Sequence, residues 1–204
     1  MKPLGPKTLL DLPSCFLTAT DTDAGKTHVA CDILTSWKQA GFTVGAFKPV
    51  ASGAIKINGK WVSEDAQRLS AVTGQPLDEI NPYTFEKPAS PHIADELAEF
   101  DLVYVANLYQ QLAYKYDRVL VEGVGGWCVP LSDDLMLKDL ALDLSLPVVM
   151  VARIGLGCIN HSLLTINQIQ NDTELFHGWI ANCIDTDFVD QQANIDSISA
   201  RIKQ

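Results

Sequence analysis

The residues with the clearest chemical potential are Gly25, Lys26 and Thr27, which follow a short apolar segment and the polar residues 20–24. A glycine lets the backbone approach an anion closely, and the first N–H groups of a helix supply hydrogen-bond donors and a partial positive charge. A lysine in this position reaches the outer phosphates of a nucleotide, and a threonine hydroxyl can bind Mg²⁺. The sequence therefore predicts a phosphate-binding loop that passes into a helix beginning near Lys26.

The tripeptide by itself is a weak signal. The full phosphate-loop pattern has a glycine five residues before Gly25, where this chain has Thr20. An ordinary helix start with a chance Gly-Lys-Thr would give the same three residues. The strand predicted before the loop and the helix predicted after it favour phosphate binding.

Three further charged side chains stand near the ends of predicted elements. Lys48 follows a predicted strand, and in an open parallel sheet the loops after neighbouring strands face one crevice. Glu122 ends an apolar strand before a glycine-rich loop, a position from which a carboxylate reaches the magnesium shell of a nucleotide. Asp65 lies in the first turn of a helix that Ser63 caps. The residues alone also allow a surface lysine, a solvent-facing glutamate and an aspartate that only complements the helix dipole.

Short apolar strands alternate with segments of helical spacing along the chain. The predicted strands are a short one that begins at Cys15 and four others over residues 43–47, 119–122, 147–152 and 179–182. The predicted helices cover residues 27–40, 63–73, 101–116, 135–144, 158–170 and 187–203. This alternation predicts a single α/β domain with a doubly wound, mostly parallel sheet flanked by helices, a nucleotide-binding architecture of the P-loop type.

Two proline-rich segments fall outside this alternation. Residues 74–93 contain four prolines, so we expect them to be mostly loop, and a long irregular segment of this kind is more often functional than idle. Residues 1–13 contain three prolines, and we expect a flexible N-terminal extension there.

The charge and the cysteines limit the possible partners and the compartment. The chain has 15 Lys and Arg residues against 25 Asp and Glu residues, a net charge of −10, which argues against a nucleic-acid or anionic-membrane surface. Its five cysteines are scattered without a C-x-x-C pair, so we expect most of them to be reduced thiols in the core of a cytoplasmic protein. We see no apolar run of signal-peptide or transmembrane length.

Six motifs taken together resemble the dethiobiotin synthetase family of biotin biosynthesis, and the resemblance runs from Phe16 to about Asp185. Several of them have no general role in phosphate loops, which is why the match is to one family rather than to a fold. The motifs are Thr20-Asp21-Thr22-Asp23-Ala24-Gly25-Lys26-Thr27, Lys48-Pro49-Val50-Ala51-Ser52-Gly53, Asn81-Pro82-Tyr83-Thr84-Phe85, Ser90-Pro91-His92, Val121-Glu122-Gly123-Val124-Gly125-Gly126-Trp127 and Leu156-Gly157-Cys158-Ile159-Asn160-His161.

The resemblance implies an ATP- and Mg²⁺-dependent ligase that joins 7,8-diaminononanoate and CO2 into dethiobiotin. In this family a carbamate attacks the γ-phosphate, the second amine closes the ring on the mixed anhydride, and ADP and phosphate are released. The resemblance also implies a homodimer in which the loop near Gly157 holds the substrate carboxylate of the neighbouring subunit. Spacing alone leaves a simple helix cap at Asn160 about equally plausible.

The resemblance assigns roles to particular residues, and it raises Lys48 and Asp65 above what spacing alone supports. The implied catalytic residues are Lys48, Lys26, Thr22 and Ser52. The implied ATP contacts are Asp23, Ala24, Gly25, Lys26, Thr27, His28, Glu122 and Asn182, although Asn182 alone would suggest a strand-end cap. The implied substrate contacts are Thr22, Lys48, Ser52, Pro91, Gly157, Cys158 and Asn160, with His92 a weaker candidate. The implied magnesium ligands are Thr27, Asp65 and Glu122.

Two departures from the family pattern bear on the nucleotide. Ala19 stands where relatives commonly have glycine, and its methyl group would penalise a positive φ there. The sequence stops at Gln204, where relatives usually continue with a segment that helps to enclose the purine. We therefore expect weaker nucleotide affinity or base selectivity, without loss of activity.

Three alternatives remain open from the sequence. A switch ATPase of the partitioning or metal-targeting type usually has a further lysine early in the loop, and residues 19–24 have none. An amide-forming ligase of cofactor biosynthesis needs an ammonia-supplying domain, for which the chain is too short. A degenerate, non-catalytic nucleotide scaffold would explain Ala19 but not the presence of Lys26, Thr27, Asp65 and Glu122.

Overall fold

The computed structural model describes residues 1–94 and 100–202, and its centre is a five-stranded parallel sheet. The strands in chain order are β1 Cys15–Ala19, β2 Val44–Phe47, β3 Val50–Ala51, β4 Ile55–Ile57, β5 Lys60–Val62, β6 Tyr83–Thr84, β7 Arg118–Glu122, β8 Val148–Arg153 and β9 Phe176–Asn182. The central sheet has the order β2-β7-β1-β8-β9, so β1 lies in its middle. The loops after β1, β2 and β7 therefore leave the same edge of the sheet.

Helices cover both faces of this sheet, which confirms the doubly wound fold. They are α1 Pro6–Asp11, α2 Lys26–Gln39, α3 Glu64–Thr73, α4 Leu77–Ile80, α5 Pro91–Ala94, α6 Leu102–Lys115, α7 Leu137–Leu144, α8 Cys158–Asp172 and α9 Gln191–Arg201. Side chains alternate along a strand, so Phe16 of β1 packs on the face covered by α6 to α9, whereas Leu17 packs on the face covered by α2 and α3. Both faces are apolar because both are buried.

Residues next to the helix ends set where two of the helices begin. The Ser63 hydroxyl accepts a hydrogen bond from the Ala66 N–H at the start of α3, as predicted. The last helix begins at Gln191 rather than at residue 187, because Asp190 before it adopts a left-handed conformation. Its predicted end at Lys203 lies outside the described residues. Within residues 1–94 and 100–202, no helix has the length and hydrophobicity needed to cross a bilayer.

The N-terminal segment packs against the domain, so the prediction of a flexible extension at residues 1–13 does not fit this structure. The Leu4 N–H donates to the Trp179 carbonyl at 2.7 Å, and the N-terminal amine of Met1 donates to the Ser199 carbonyl at 2.9 Å. Leu12 is fully buried in the core beneath α2. A proline is tolerated in the first turn of a helix, as at the start of α1, and the leucines between the prolines have apolar surface to bury.

The chain between β2 and α5, which includes most of the proline-rich segment 74–93, contains more regular structure than expected. Residues 55–62 form an antiparallel hairpin, β4 with β5, around the turn at Asn58 and Gly59. β3 pairs in parallel with β6, and the Lys48 N–H donates to the Ile80 carbonyl at 2.8 Å. The Asn81 amide donates in turn to the Lys48 carbonyl at 2.8 Å. The backbone on both sides of Lys48 is therefore held by the proline-rich segment.

The cysteines are free thiols, but fewer of them lie in the core than expected. Cys15 and Cys158 are buried, Cys31 is half-buried, and Cys128 and Cys183 are exposed. Complete burial raises the pKa of the Cys15 thiol to about 12, so it stays protonated and unreactive.

Candidate active site

The loop after β1 has the shape predicted for a phosphate-binding loop. It makes a 3₁₀ turn over Thr22–Ala24 and reaches Gly25 at φ +83°, after which α2 begins at Lys26. A Cβ atom on Gly25 would collide with the Asn182 amide, which lies beneath the loop and donates to the Ala24 carbonyl at 2.8 Å. The loop therefore requires glycine here twice over, for its φ angle and for space.

The expected penalty at Ala19 does not arise. Ala19 is the last residue of β1, and among the described residues the non-glycine positions with positive φ are Asn58, Ser145 and Asp190. Its methyl group lies in the core on the α2 side of the sheet. An extended backbone accepts alanine without strain.

Lys26 points back over the loop, and its ammonium group is almost completely buried. It donates hydrogen bonds to the carbonyls of Gly125 at 2.7 Å, Asp21 at 3.2 Å and Thr22 at 3.5 Å. Burial, followed by the like charge of Lys48, lowers the pKa of Lys26 to about 8. A buried cation beside a second cation favours the binding of an anion that would neutralise both.

Lys48 lies between two carboxylates. Its Nζ atom is 2.6 Å from Glu122 Oε1 and 2.7 Å from Asp65 Oδ2. Burial acts to lower the pKa of Lys48, but the attraction of Glu122 and Asp65 outweighs it and raises that pKa above its ordinary value. Burial likewise acts to raise the pKa of Asp65, yet the charge of Lys48 and the hydrogen bond that it donates hold this pKa below its ordinary value. Lys48 and Asp65 are therefore both charged at neutral pH.

The same cluster fits a magnesium ion. The Thr27 hydroxyl donates to Glu122 Oε1 at 2.7 Å, whereas Glu122 Oε2 is buried with no hydrogen-bond partner in the described structure. An unpaired buried carboxylate oxygen is costly unless a cation or donor satisfies it. Among the described residues no group of three or more His, Cys, Asp or Glu residues is suited to a metal. The oxygen donors at this cluster are the carboxylates of Glu122 and Asp65 and the Thr27 hydroxyl. Mg²⁺ prefers such oxygen ligands and usually keeps several waters and phosphate oxygens as well.

Two adjoining cavities lie at this edge of the sheet, and the first of them contains the cluster. The first has a volume of about 330 Å³ and contains both lysines in its wall, together with Thr22, Asp23, Gly25, Thr27, His28, Ser52, Asp65, Arg68, Glu122, Val124 and Gly125. The second has a volume of about 560 Å³ and is more apolar, and it shares Thr22, Ser52, Val124 and Gly125 with the first. Its remaining wall is formed by residues 88–92 and 128–130. A polar anion site therefore opens directly into an apolar groove.

The structure brings most of the candidate residues together around these cavities. Pro91 and His92, which belong to the proline-rich segment, line the second cavity. Ala24, within the phosphate loop, and Asn182, beneath it, are buried and line neither of these two cavities. The motif around Gly157 is separate from the lysine cluster within one chain.

That motif surrounds the start of α8. Gly157 precedes the helix at φ +88°, so the alternative of a cap at Asn160 is wrong. Cys158 is buried and lines a third cavity of about 360 Å³ on the other side of the phosphate loop, together with Asp21 and Asp23. Asn160 is exposed within the first turn of α8. These three residues therefore do not join the lysine cluster of their own chain.

Arg68 is a site residue that the sequence argument missed. Its exposed guanidinium group lines the first cavity, where it is a third cation beside Lys26 and Lys48. A signal was available, because Arg68 follows Asp65 by three residues on α3 and residues three apart share a helix face. The glycine-rich loop was expected near the ligand, but the contact of its Gly125 carbonyl with Lys26 was not.

Comparison with known proteins identifies the family. Residues 14–203 match the family described as "AAA domain". The chain is 42% identical over 191 residues to the ATP-dependent dethiobiotin synthetase BioD of Aromatoleum aromaticum, covering 92% of this chain and 85% of that protein. The chain belongs to the ATP-dependent dethiobiotin synthetase family. The resemblance seen in the sequence motifs is confirmed, and so is the prediction of an enzyme rather than a non-catalytic scaffold.

Another dethiobiotin synthetase gives the same result. The ATP-dependent dethiobiotin synthetase BioD of Alteromonas mediterranea is 37% identical over 204 residues, covering 93% of this chain and 88% of that protein. Among solved structures, the signal recognition particle 54 kDa protein of Aeropyrum pernix in complex with GDP overlays with a TM-score of 0.55 at 15% identity, covering 96% of this chain and 44% of that chain. That likeness shows the nucleotide-binding fold alone, whereas the dethiobiotin synthetase relatives favour a ligase over the switch ATPase alternative.

Proposed function

We propose that this protein catalyses the ATP- and Mg²⁺-dependent closure of 7,8-diaminononanoate and CO2 into dethiobiotin, as a homodimer in the cytoplasm. The observation that carries the proposal is the shared wall of the two cavities. A polar cavity with two buried lysines opens through Thr22 and Ser52 into an apolar groove. A nucleotide and a long-chain diamine would thus meet at one boundary.

The two lysines would reduce the repulsion between the two anionic reactants of this reaction. A carbamate and an ATP γ-phosphate are both anions, and they repel each other unless cations lie between them. Lys26 and Lys48 supply two ammonium groups in the wall of one cavity. Holding the two anions together before reaction also removes the entropy cost of a bimolecular encounter.

Thr27, Asp65 and Glu122 would hold the Mg²⁺ ion. When bound, that ion neutralises charge on the β- and γ-phosphate oxygens. The Gly25 turn and the N-terminus of α2 would hold the phosphates by backbone N–H groups, with Asp23, Ala24 and His28 beside them and Asn182 near the base. Asn182 already bonds the Ala24 carbonyl, so this role would need its remaining hydrogen-bonding capacity.

The groove suits the diamine substrate. Its methylene chain would lie against Pro91 and the other apolar residues of the second cavity. Thr22 and Ser52, in the shared wall, would hold the carbamate and the amines by their hydroxyl groups. The carboxylate would be bound by Gly157, Cys158 and Asn160 of the partner subunit, since backbone N–H groups at the start of a helix suit an anion.

The chemical steps balance without further reactants. One amine adds to CO2 and loses a proton, which gives the carbamate. A carbamate oxygen attacks the γ-phosphorus of ATP, forming a carbamic–phosphoric anhydride and releasing ADP. The second amine attacks the anhydride carbonyl, the C–O bond to phosphate breaks, and the ureido ring closes as phosphate and a proton leave. Lys48 and Lys26 would flank the phosphoryl group throughout this sequence.

Phosphate release from ATP tests the proposal. We expect turnover only when diaminononanoate and bicarbonate are both present, with dethiobiotin formed in equal amount. Lys48→Ala should nearly abolish turnover and Lys26→Ala should weaken it greatly. Lys115→Ala is the matched control, because Lys115 pairs with Glu79 on the exposed surface of α6. ATP hydrolysis indifferent to the diamine would instead support the switch ATPase.

A further inference from the structure

The glycine-rich loop after β7 is anchored by a buried tryptophan. The indole N–H of Trp127 donates to Asp172 Oδ2 at 2.8 Å, at the last residue of α8. Trp127 is 3% exposed and belongs to the core on the α6 to α9 side of the sheet. A buried indole N–H requires an acceptor, and Asp172 is the one it has here.

Asp172 is itself held in place by two further side chains. Lys138 of α7 donates to Oδ1 at 3.2 Å, and the Gln168 amide donates to both oxygens at 3.0 Å. Burial acts to raise the pKa of Asp172, but the hydrogen bonds from Gln168, Trp127 and Lys138 hold it below its ordinary value. The carboxylate is therefore ionised at neutral pH, and a charge-assisted bond of this kind is stronger than a neutral one.

Three of the four residues between β7 and Trp127 are glycines, so few side chains are available to hold this loop in one conformation. The Gly123 N–H donates to the Leu17 carbonyl at 3.0 Å, and Gly125 adopts φ +61°. A Cβ atom on Gly126 would lie 3.3 Å from the Ala19 carbonyl, so the loop runs close against the end of β1. Three glycines leave this backbone free to move unless both ends are fixed.

The loop delivers one carbonyl to the phosphate site. The Gly125 carbonyl accepts the shortest of the three hydrogen bonds from Lys26, at 2.7 Å. Gly125 lies two residues before Trp127, so a shift of the indole would move this acceptor. Asp172 is therefore connected to Lys26 by the Trp127–Asp172 hydrogen bond, the backbone from Trp127 back to Gly125, and the Gly125–Lys26 hydrogen bond.

We propose that Asp172 is a positioning residue, which fixes Trp127 and through it the Gly125 carbonyl that holds Lys26 in the nucleotide cavity. This inference rests on the proposed nucleotide-binding role of Lys26. It predicts that the side chain at the end of α8 controls affinity for ATP although it does not line the first cavity.

Calorimetric titration with ATP and Mg²⁺ tests the inference separately from turnover. We expect Asp172→Ala and Trp127→Phe each to weaken ATP binding by about 3- to 10-fold, part of the value of a hydrogen bond to a charged group. Asp172→Asn should bind nearly as wild type, because its amide oxygen can still accept from the indole. Lys138→Met should weaken ATP binding less than Asp172→Ala does, since it removes one support of Asp172 and leaves the Trp127–Asp172 bond.

The double variant Asp172→Ala/Trp127→Phe decides between positioning and general damage. If the two residues act as one unit, the double variant should bind ATP within about 2-fold of either single variant. The inference is overturned if the loss of ATP affinity in the double variant equals the product of the losses in the two single variants. It is also overturned if Lys138→Met weakens ATP binding as much as Asp172→Ala does, or if the variants lower the melting temperature and leave ATP affinity unchanged. Absence of diamine-dependent turnover in the wild type would overturn the proposed function instead, while ATP titration would still test Asp172.

Discussion

Replacing Lys48 with methionine would leave a buried carboxylate without its cation. Methionine keeps most of the apolar stem, so the change removes an ammonium group with little loss of packing. In the wild type that group lies 2.6 Å from Glu122 Oε1 and 2.7 Å from Asp65 Oδ2. The Glu122 side chain is 0% exposed, whereas that of Asp65 is 40% exposed, so Glu122 carries most of the penalty.

The size of the effect follows from this burial. Removing one partner of a buried ion pair typically costs about 3–5 kcal/mol. The contribution of Asp65 is screened by solvent, and the Thr27 hydroxyl still donates to Glu122. We therefore expect Lys48→Met to lower the free energy of unfolding by about 3 kcal/mol, the lower end of that range. The double variant Lys48→Met/Glu122→Gln removes the stranded charge and should recover at least about 1 kcal/mol of this loss.

Urea unfolding followed by tryptophan fluorescence measures both quantities. The wild type, the two single variants and the double variant complete a thermodynamic cycle, from which the coupling energy is obtained directly. Domains of this size are usually stable enough to remain folded after such a loss. The reasoning is refuted if Lys48→Met costs less than about 1 kcal/mol, or if the double variant is no more stable than Lys48→Met.

Three further predictions concern the nucleotide cavity. Because Lys26 has a pKa of about 8, its ammonium group loses its charge as the pH rises, and ATP affinity should fall between about pH 7 and pH 9. Calorimetry over this range measures the affinity, and an affinity that does not change with pH would contradict the prediction. Arg68→Ala should weaken ATP binding by up to about 5-fold, the value of an exposed charge contact, whereas the control Arg201→Ala on α9 should not. Gly25→Ala should abolish nucleotide binding, because the methyl group meets the asparagine amide at the end of β9 and φ is +83°. Gly41→Ala is the control, because Gly41 also has a positive φ, +94°, but a Cβ there would meet no neighbouring atom. An equal loss of nucleotide binding in both variants would show that backbone strain, and not the collision with the asparagine amide, is responsible.

The sequence was most informative where a local pattern has one structural outcome. An apolar strand, a polar loop with Gly25 and a helix from Lys26 appear as predicted, because backbone conformation there is dictated by neighbouring residues. Alternating apolar segments likewise predicted the doubly wound sheet. Residues 1–13 were predicted less well, since proline content reports local flexibility but not whether distant surface is available for packing.

For the candidate site, too, the sequence indicated individual residues but not how they pair. Residue types and element ends favoured Lys26 and Glu122 as candidates, whereas Lys48 and Asp65 needed the family resemblance to rise above a surface lysine and an aspartate that complements the helix dipole. Their pairing depends on strand order: β7 lies between β1 and β2 in the sheet, although it follows both by many residues.

The sequence by itself therefore determined the element types and the family, and it predicted phosphate-binding chemistry at the loop after β1. Only the tertiary structure decided that Lys48 lies between Glu122 and Asp65, that Arg68 joins the cavity, and that Asp172 holds Trp127. The physical reason is that local conformation depends on near neighbours in the chain, whereas charge pairing and burial depend on which distant segments the sheet brings side by side.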